Sequence, residues 1–326
     1  MFHRPLGSRS GIEVSALGLG CWAIGGPWSF DGRPAGWGAV DDAESIRAIH
    51  RALDLGVTLF DTADAYGAGH SERVLGRALA GHRDEVVIST KFGLLFDEAT
   101  REGGGDDVSP AYIKRACDAS LERLDTDHID VYLLHGGVER PDQVPEVVAT
   151  LDELVAAGKI RAYGTSVEDP AITEAFAQGA HAVAVQLELS VLHAHAPALA
   201  VAEREGLGAL ARSPLAMGLL GGRYTPDKRP PEEDVRRDTP HWDFFDDDAM
   251  PAWLDRVEAL RRALTRDGRT LAQGALGWIW ARSPVAIPIP GFRTVAQVEE
   301  NVAAADYGPL PDLAGLEPPL RASASR

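Results

Sequence analysis

Short apolar runs alternate with longer stretches of helical periodicity along almost the whole chain. Val14–Leu19, Val57–Phe60, Val86–Thr90, Ile129–Leu134, Ile160–Gly164, Ala182–Leu187, Leu207–Ala211 and Val285–Ile289 have the length and composition of buried strands. Between them, Asp41–Leu55, Glu72–Leu79, Pro110–Leu124, Gln143–Ala157, Ala171–Gln178, Pro197–Glu205, Trp253–Leu264, Leu271–Trp280 and 294–304 space their apolar residues as helices do. Gly56 and Gly158 are stop signals, and Ser109 caps a helix with Pro110 in its first turn. Strand and helix alternate through short loops, which predicts successive right-handed crossovers in a parallel sheet. Eight such units close a ring. The predicted fold is therefore α/β, a (β/α)8 TIM barrel formed by residues 1–326 as a single domain. The competing architecture, an open doubly wound sheet, carries a glycine fingerprint after its first strand. Leu17-Gly18-Leu19-Gly20 does not match that fingerprint in spacing.

Four stretches depart from the pattern. Residues 1–14 read as an amino-terminal β-hairpin over one end of the barrel. Trp22–Gly38 is too aperiodic for a helix and too aromatic for a solvated loop, so Trp22, Trp28 and Trp37 are candidates to line an apolar substrate pocket. Phe92–Asp107, with three consecutive glycines from Gly103, is predicted as a mobile polar loop near the same mouth. Residues 218–250, after the seventh strand, form a long insert beside the mouth, and 310–326 a carboxyl-terminal tail.

The chemistry collects at strand ends. The second strand runs into Asp61 and then Tyr66, the third ends in Lys91, and the fourth ends in His135. The carboxyl ends of parallel strands are where α/β proteins keep their reactive groups. Tyrosine has a reference pKa near 10, so its use as an acid near neutrality needs a neighbouring ammonium, which a carboxylate can hold in place. A histidine can donate to a carbonyl oxygen as charge develops there. The set lacks a nucleophile–base pair and a metal cluster. It suits carbonyl polarisation, completed by a hydride from a cofactor.

Charge and cysteine content narrow the setting. With 32 basic and 49 acidic residues the formal charge is −17, which argues against nonspecific nucleic-acid binding while leaving room for a local phosphate site. Cys21 and Cys117 make no disulfide framework or metal motif, and no stretch reaches membrane-spanning length. The expected setting is cytoplasmic, without a membrane or nucleic-acid partner, and a monomer is favoured over a homo-oligomer.

Phe60-Asp61-Thr62-Ala63-Asp64-Ala65-Tyr66-Gly67 and the helix after it resemble the second-strand signature of the aldo-keto reductase superfamily. The likeness extends over nearly the whole chain, and that family's tetrad falls on Asp61, Tyr66, Lys91 and His135. The resemblance implies NAD(P)H-dependent reduction of an aldehyde or ketone without metal. Tyr66 would be the general acid, Lys91 the stabiliser of tyrosinate, Asp61 the partner of Lys91, and His135 the group orienting the carbonyl. It further implies Ser166 and Gln186 at the nicotinamide, and Arg212, Ser213, Leu215 and Gly218 in the loop around the pyrophosphate. Gly291, Arg293, Gln297 and Asn301 fall at the adenosine end, where Arg293 would pair with a 2′-phosphate and favour NADPH over NADH. Two departures stand out: Val167 follows the serine where many relatives carry asparagine, and Leu189 falls where an aromatic residue often stacks on the nicotinamide. The alternatives are an alcohol or sugar dehydrogenase working oxidatively and, further off, a nicotinamide-binding regulatory subunit.

Overall fold

The computed structural model describes residues 1–237 and 239–316. Eight parallel strands, Leu19–Gly20, Leu59–Asp61, Val87–Phe92, Ile129–Leu134, Ile160–Thr165, Ala182–Glu188, Gly208–Arg212 and Ala286–Pro288, pair in sequence order. The N–H groups of Gly18 and Gly20 donate to the carbonyls of Pro288 and Pro290, each at 3.0 Å, so the first strand meets the eighth and the sheet closes. Glycine is needed at this seam, because a Cβ on Gly20 would lie 2.9 Å from the Ile289 carbonyl oxygen.

Helices follow the strands around the outside, and five of them are capped at their amino ends by side chains. Asp41, Ser109, Asp169, Thr270 and Thr294 each accept from a backbone N–H in the first turn of the helix they precede. Leu59, Val131, Leu133, Val183, Leu210 and Ile287 fill the barrel interior, joined from below by Leu6, Ile12 and Val14. Those three come from the expected hairpin, in which His3–Pro5 pairs antiparallel with Glu13–Ser15. Ser15 binds Thr58 at the start of the second strand, which sets the hairpin at the floor and leaves the opposite end open.

Two expectations change. The run Val14–Leu19 is split between hairpin and barrel, because the chain bends at Ala16 and Leu17 between Glu13–Ser15 and Leu19–Gly20. The stretch 92–107 is a hairpin, Leu94–Asp97 with Glu102–Asp106, which joins Ser29–Phe30 and Arg33–Pro34 in a four-stranded sheet. Its glycines serve close packing: a Cβ on Gly103 would meet both the Leu95 carbonyl and the Phe30 ring at 2.9 Å. The 218–250 insert is packed, with Val235, Trp242, Phe244, Phe245 and Met250 buried and the Val235 N–H donating to the Gly36 carbonyl at 2.9 Å. Of the expected tail, Leu310 and Leu316 dock on the helix Leu271–Arg282, and 317–326 lie outside the described residues.

Candidate active site

Strand register brings the tetrad together. Asp61 pairs with Ser89 two residues before Lys91, Lys91 lies opposite Leu133, and the His135 N–H donates to the Phe92 carbonyl at 2.8 Å. Tyr66 sits in the tight turn after the second strand. Gly67, at φ +64°, is required there because a Cβ would fall 1.8 Å from the Gly25 carbonyl oxygen.

Lys91 is fully buried, and its ammonium donates to Asp61 Oδ2 at 2.8 Å, the Thr62 carbonyl at 2.7 Å and the Tyr66 hydroxyl at 3.2 Å. Those three bonds match the three donors of an ammonium. Asp61, 2% exposed, accepts also from Ser89 Oγ at 3.0 Å and Gln186 Nε2 at 2.8 Å. A buried ion pair is tolerable when its remaining lone pairs are satisfied in this way. The His135 ring stands edge-on to Tyr66 with centroids 5.8 Å apart, and its Nδ1 is buried without a protein partner.

Electrostatics assigns protonation states. Burial pushes the Tyr66 phenol above its usual pKa, against the pull of Lys91, so the hydroxyl carries its proton near neutrality. Burial alone would lower Lys91, but Asp61 and Tyr66 outweigh it and raise the ammonium. For His135, burial, Lys91 and Arg212 all act downwards and hold the imidazole well below its ordinary range. The site thus presents a neutral phenol, a cationic lysine and a neutral imidazole.

Asp61, Tyr66 and His135 open into a cavity of about 1470 Å³, and Lys91 is buried behind them. Trp22 stacks on Tyr66 with centroids 5.8 Å apart, and Trp37 and Trp242 pack against Trp22 at 5.5 and 6.3 Å. Trp28 lines a further wall, so all three tryptophans expected at a substrate pocket reach it.

The other expected residues divide. Ser166, Gln186, Arg212, Ser213, Leu215, Gly218, Gly291, Arg293, Gln297 and Asn301 all line the cavity. Leu189 does not. The sixth strand ends at Glu188, the chain turns into a bridge with Ala194, and Leu189 points into the hydrophobic core. Arg293 lines the cavity, but its guanidinium donates to the Trp37 carbonyl at 3.1 Å and to the Ala39 carbonyl, tying the last loop to the first. Gln186 donates one of its two amide N–H groups to Asp61.

Several observations fit a dinucleotide. Ser213, Ala216, Met217 and Gly218 all have positive φ, between 47° and 92°, an uncommon run for side-chain-bearing residues. Such curls turn backbone amides into anion-binding concavities. Asn301 is 2% exposed, and its buried Nδ2 donor has no protein partner beside the cavity. Arg223, Arg236 and Arg293 all line the cavity, and at Arg293 burial lowers the guanidinium first, Asp234 opposes it, and the two other arginines lower it further. A local cationic field therefore exists within an acidic protein.

Sequence reading missed Arg236 and His241, both on the insert and both lining the cavity. The Arg236 guanidinium lies 4.4 Å from the Trp37 ring centroid and is held by both Asp234 oxygens, at 2.8 and 2.7 Å. An acid two residues before an arginine, within an aromatic-rich insert, was the available signal. Among the described residues there is no metal-binding cluster and no helix long and apolar enough to cross a membrane.

Comparison with known proteins agrees with this geometry. The profile of the Aldo/keto reductase family matches residues 16–313. An aldo-keto reductase of Bacillus subtilis is 34% identical over 304 residues, covering 89% of this chain and 85% of its own length. The structure of a glycerol dehydrogenase from Gluconobacter oxydans superposes with a TM-score of 0.78 at 29% identity, covering 99% of this chain and 98% of that one. An aldo/keto reductase from Klebsiella pneumoniae, in complex with NADP and acetate, has a TM-score of 0.68 at 29% identity, with 97% of both chains covered. With its closed eight-stranded barrel and the Asp61–Tyr66–Lys91–His135 cluster at the open end, the chain belongs to the aldo/keto reductase family.

Proposed function

We propose that this protein reduces the carbonyl group of a small aldehyde or ketone to an alcohol, with NADPH as the preferred reductant and NADH as the alternative. The observation that carries this reading is the Lys91 ammonium bound to both Asp61 and the Tyr66 hydroxyl beneath the aromatic cavity. When bound, the reduced nicotinamide supplies a hydride to the carbonyl carbon. Tyr66 donates its proton to the carbonyl oxygen, Lys91 stabilises the phenolate left behind, and Asp61 fixes the lysine. The phenol then recovers its proton from solvent. His135, as a neutral ring, donates to the same oxygen and orients it.

Ser166 and Gln186 would hold the nicotinamide end, the curled turn from Ser213 to Gly218 the pyrophosphate, and Gln297 and Asn301 the adenosine. With the Arg293 donors engaged on Trp37 and Ala39, its charge acts together with that of Arg223 on a 2′-phosphate. The NADP complex of the Klebsiella pneumoniae relative supports NADPH. Likeness to the Gluconobacter oxydans glycerol dehydrogenase favours a second reading, oxidation of an alcohol by the reverse of the same steps.

The test is the loss of reduced-nicotinamide absorbance with purified protein and a panel of aryl, aliphatic and sugar-derived carbonyls. Tyr66→Phe is expected to bind cofactor normally and lose about 100-fold or more in turnover. Unchanged turnover would remove Tyr66 from the acid role. Oxidation of polyols without reduction of any carbonyl would favour the second reading.

A further inference from the structure

Arg212 ends the seventh strand, diametrically across the eight-stranded ring from the third, which carries Lys91. Tyr66, His135 and Arg212 all line the same cavity, so a group seated there is within reach of all three. Arg212 is also tethered. Its Nη2 donates to Glu168 Oε1 at 3.0 Å, its Nη1 lies 3.9 Å from Glu188 Oε2, and its guanidinium packs 5.8 Å from the Trp242 ring centroid.

The two carboxylates stand behind the guanidinium. Glu188 is 4% exposed and is held in turn by Trp242 Nε1 at 2.7 Å, with His193 Nδ1 3.0 Å from the same oxygen. Glu168 accepts from the Glu188 backbone N–H. Neither acid lines the cavity. The wall is thus a polarised layer whose positive face meets the ligand, and its charge reaches the reacting groups. Burial dominates the proton affinities of Tyr66 and His135, and the Arg212 charge lowers both.

Resting on the proposed nicotinamide chemistry, we infer that Arg212 is a specificity-determining residue for cofactor redox state, favouring the neutral reduced ring over the positively charged oxidised one. Hydride loss creates a positive charge on the ring, and a fixed guanidinium repels that charge while leaving the reduced form unaffected. Both forms carry the same phosphates and adenosine, so the discrimination arises at the ring alone. Its consequence is release of the oxidised product and a bias towards carbonyl reduction.

The test is titration of the full-length protein with NADPH and with NADP⁺, followed by quenching of tryptophan fluorescence, and the quantity compared is Kd(NADP⁺)/Kd(NADPH). Arg212→Met is expected to lower this ratio about tenfold, as removal of one partly screened charge should. Arg212→Lys is expected to keep most of the ratio. Glu168→Gln retains an acceptor for the Glu188 N–H but removes a compensating charge, and is expected to raise the ratio about threefold. It also serves as the probe if Arg212→Met fails to fold. A ratio unmoved by Arg212→Met or by Glu168→Gln, with both affinities shifting equally, would overturn the inference and leave Arg212 as a packing residue. Failure of the unmodified protein to bind either nicotinamide would overturn the proposed function itself, and this inference with it.

Discussion

Two halves of one cavity are built by different means. Asp61, Lys91 and His135 lie in strands or one residue beyond, with the sheet ladder on each side, and the Lys91 ammonium is bonded in three directions. Trp37, Arg236 and Trp242 reach the same space on long connections. There the Val235–Gly36 backbone bond and the Arg236–Trp37 stack hold two loops together, and the Trp242–Glu188 bond ties one of them to the end of the sixth strand. Proton transfer needs groups held to within a fraction of an ångström, which a closed sheet provides. Recognition of a substrate tolerates adjustment, which loops allow. The difference predicts that damage to the two halves will look different, globally destabilising and catalytic in one, local and affinity-linked in the other.

The largest effect is expected from Lys91→Met. It strands Asp61 as a buried charge and removes the cation beside Tyr66, so turnover should fall about 1000-fold and stability by about 3 kcal/mol. Carbonyl-reduction kinetics and urea unfolding measure the two losses. A variant of normal stability would break the comparison, because it would mean that the tetrad is not integral to the barrel.

Trp242→Ala is expected to act locally. Losing the indole removes one cavity wall and the anchor to Glu188, so KM for an aromatic carbonyl should rise about tenfold while kcat stays within about threefold. The urea midpoint should hardly move. If it falls as far as that of Lys91→Met, the insert is part of the barrel's cooperative unit. Smaller again is Gly103→Ala, which forces a Cβ against Leu95 and Phe30. Amide exchange in the 94–106 hairpin should quicken about tenfold, with barrel strands unchanged. Uniform acceleration would show that the small sheet and the barrel open together.

The same division governs what could be read from sequence. Val57–Phe60 and Ile129–Leu134 are apolar enough to declare buried strands, and a strand fixes where its last residue stands, so Asp61 and His135 could be placed from local pattern alone. The three glycines from Gly103 signalled a loop, yet Gly103 is glycine because the Phe30 ring, far away in sequence, presses on it. The Arg293 guanidinium turns to carbonyls 256 and 254 residues away, a choice no local pattern encodes. Leu189 was misplaced because a strand pattern does not announce the residue at which the chain leaves the sheet.

The smallest expected effect is a response to pH that is nearly absent. Reduction requires a protonated phenol, and Tyr66 is raised by burial despite the pull of Lys91. His135 is lowered by burial, then by Lys91 and Arg212, so the ring is already neutral. Turnover should therefore vary by less than about twofold between roughly pH 6.5 and 8.5. Stability carries the complementary signature. An unfolded His135 gains a proton as pH falls through about 6.5, whereas the folded ring does so only at lower pH. The unfolded state then binds more protons, and stability declines with acidification in that window. His135→Gln removes this contribution, so urea unfolding at pH 7 and pH 5 should show a smaller acid loss in the variant than in the parent. Equal losses would mean that the folded ring protonates at its ordinary pKa.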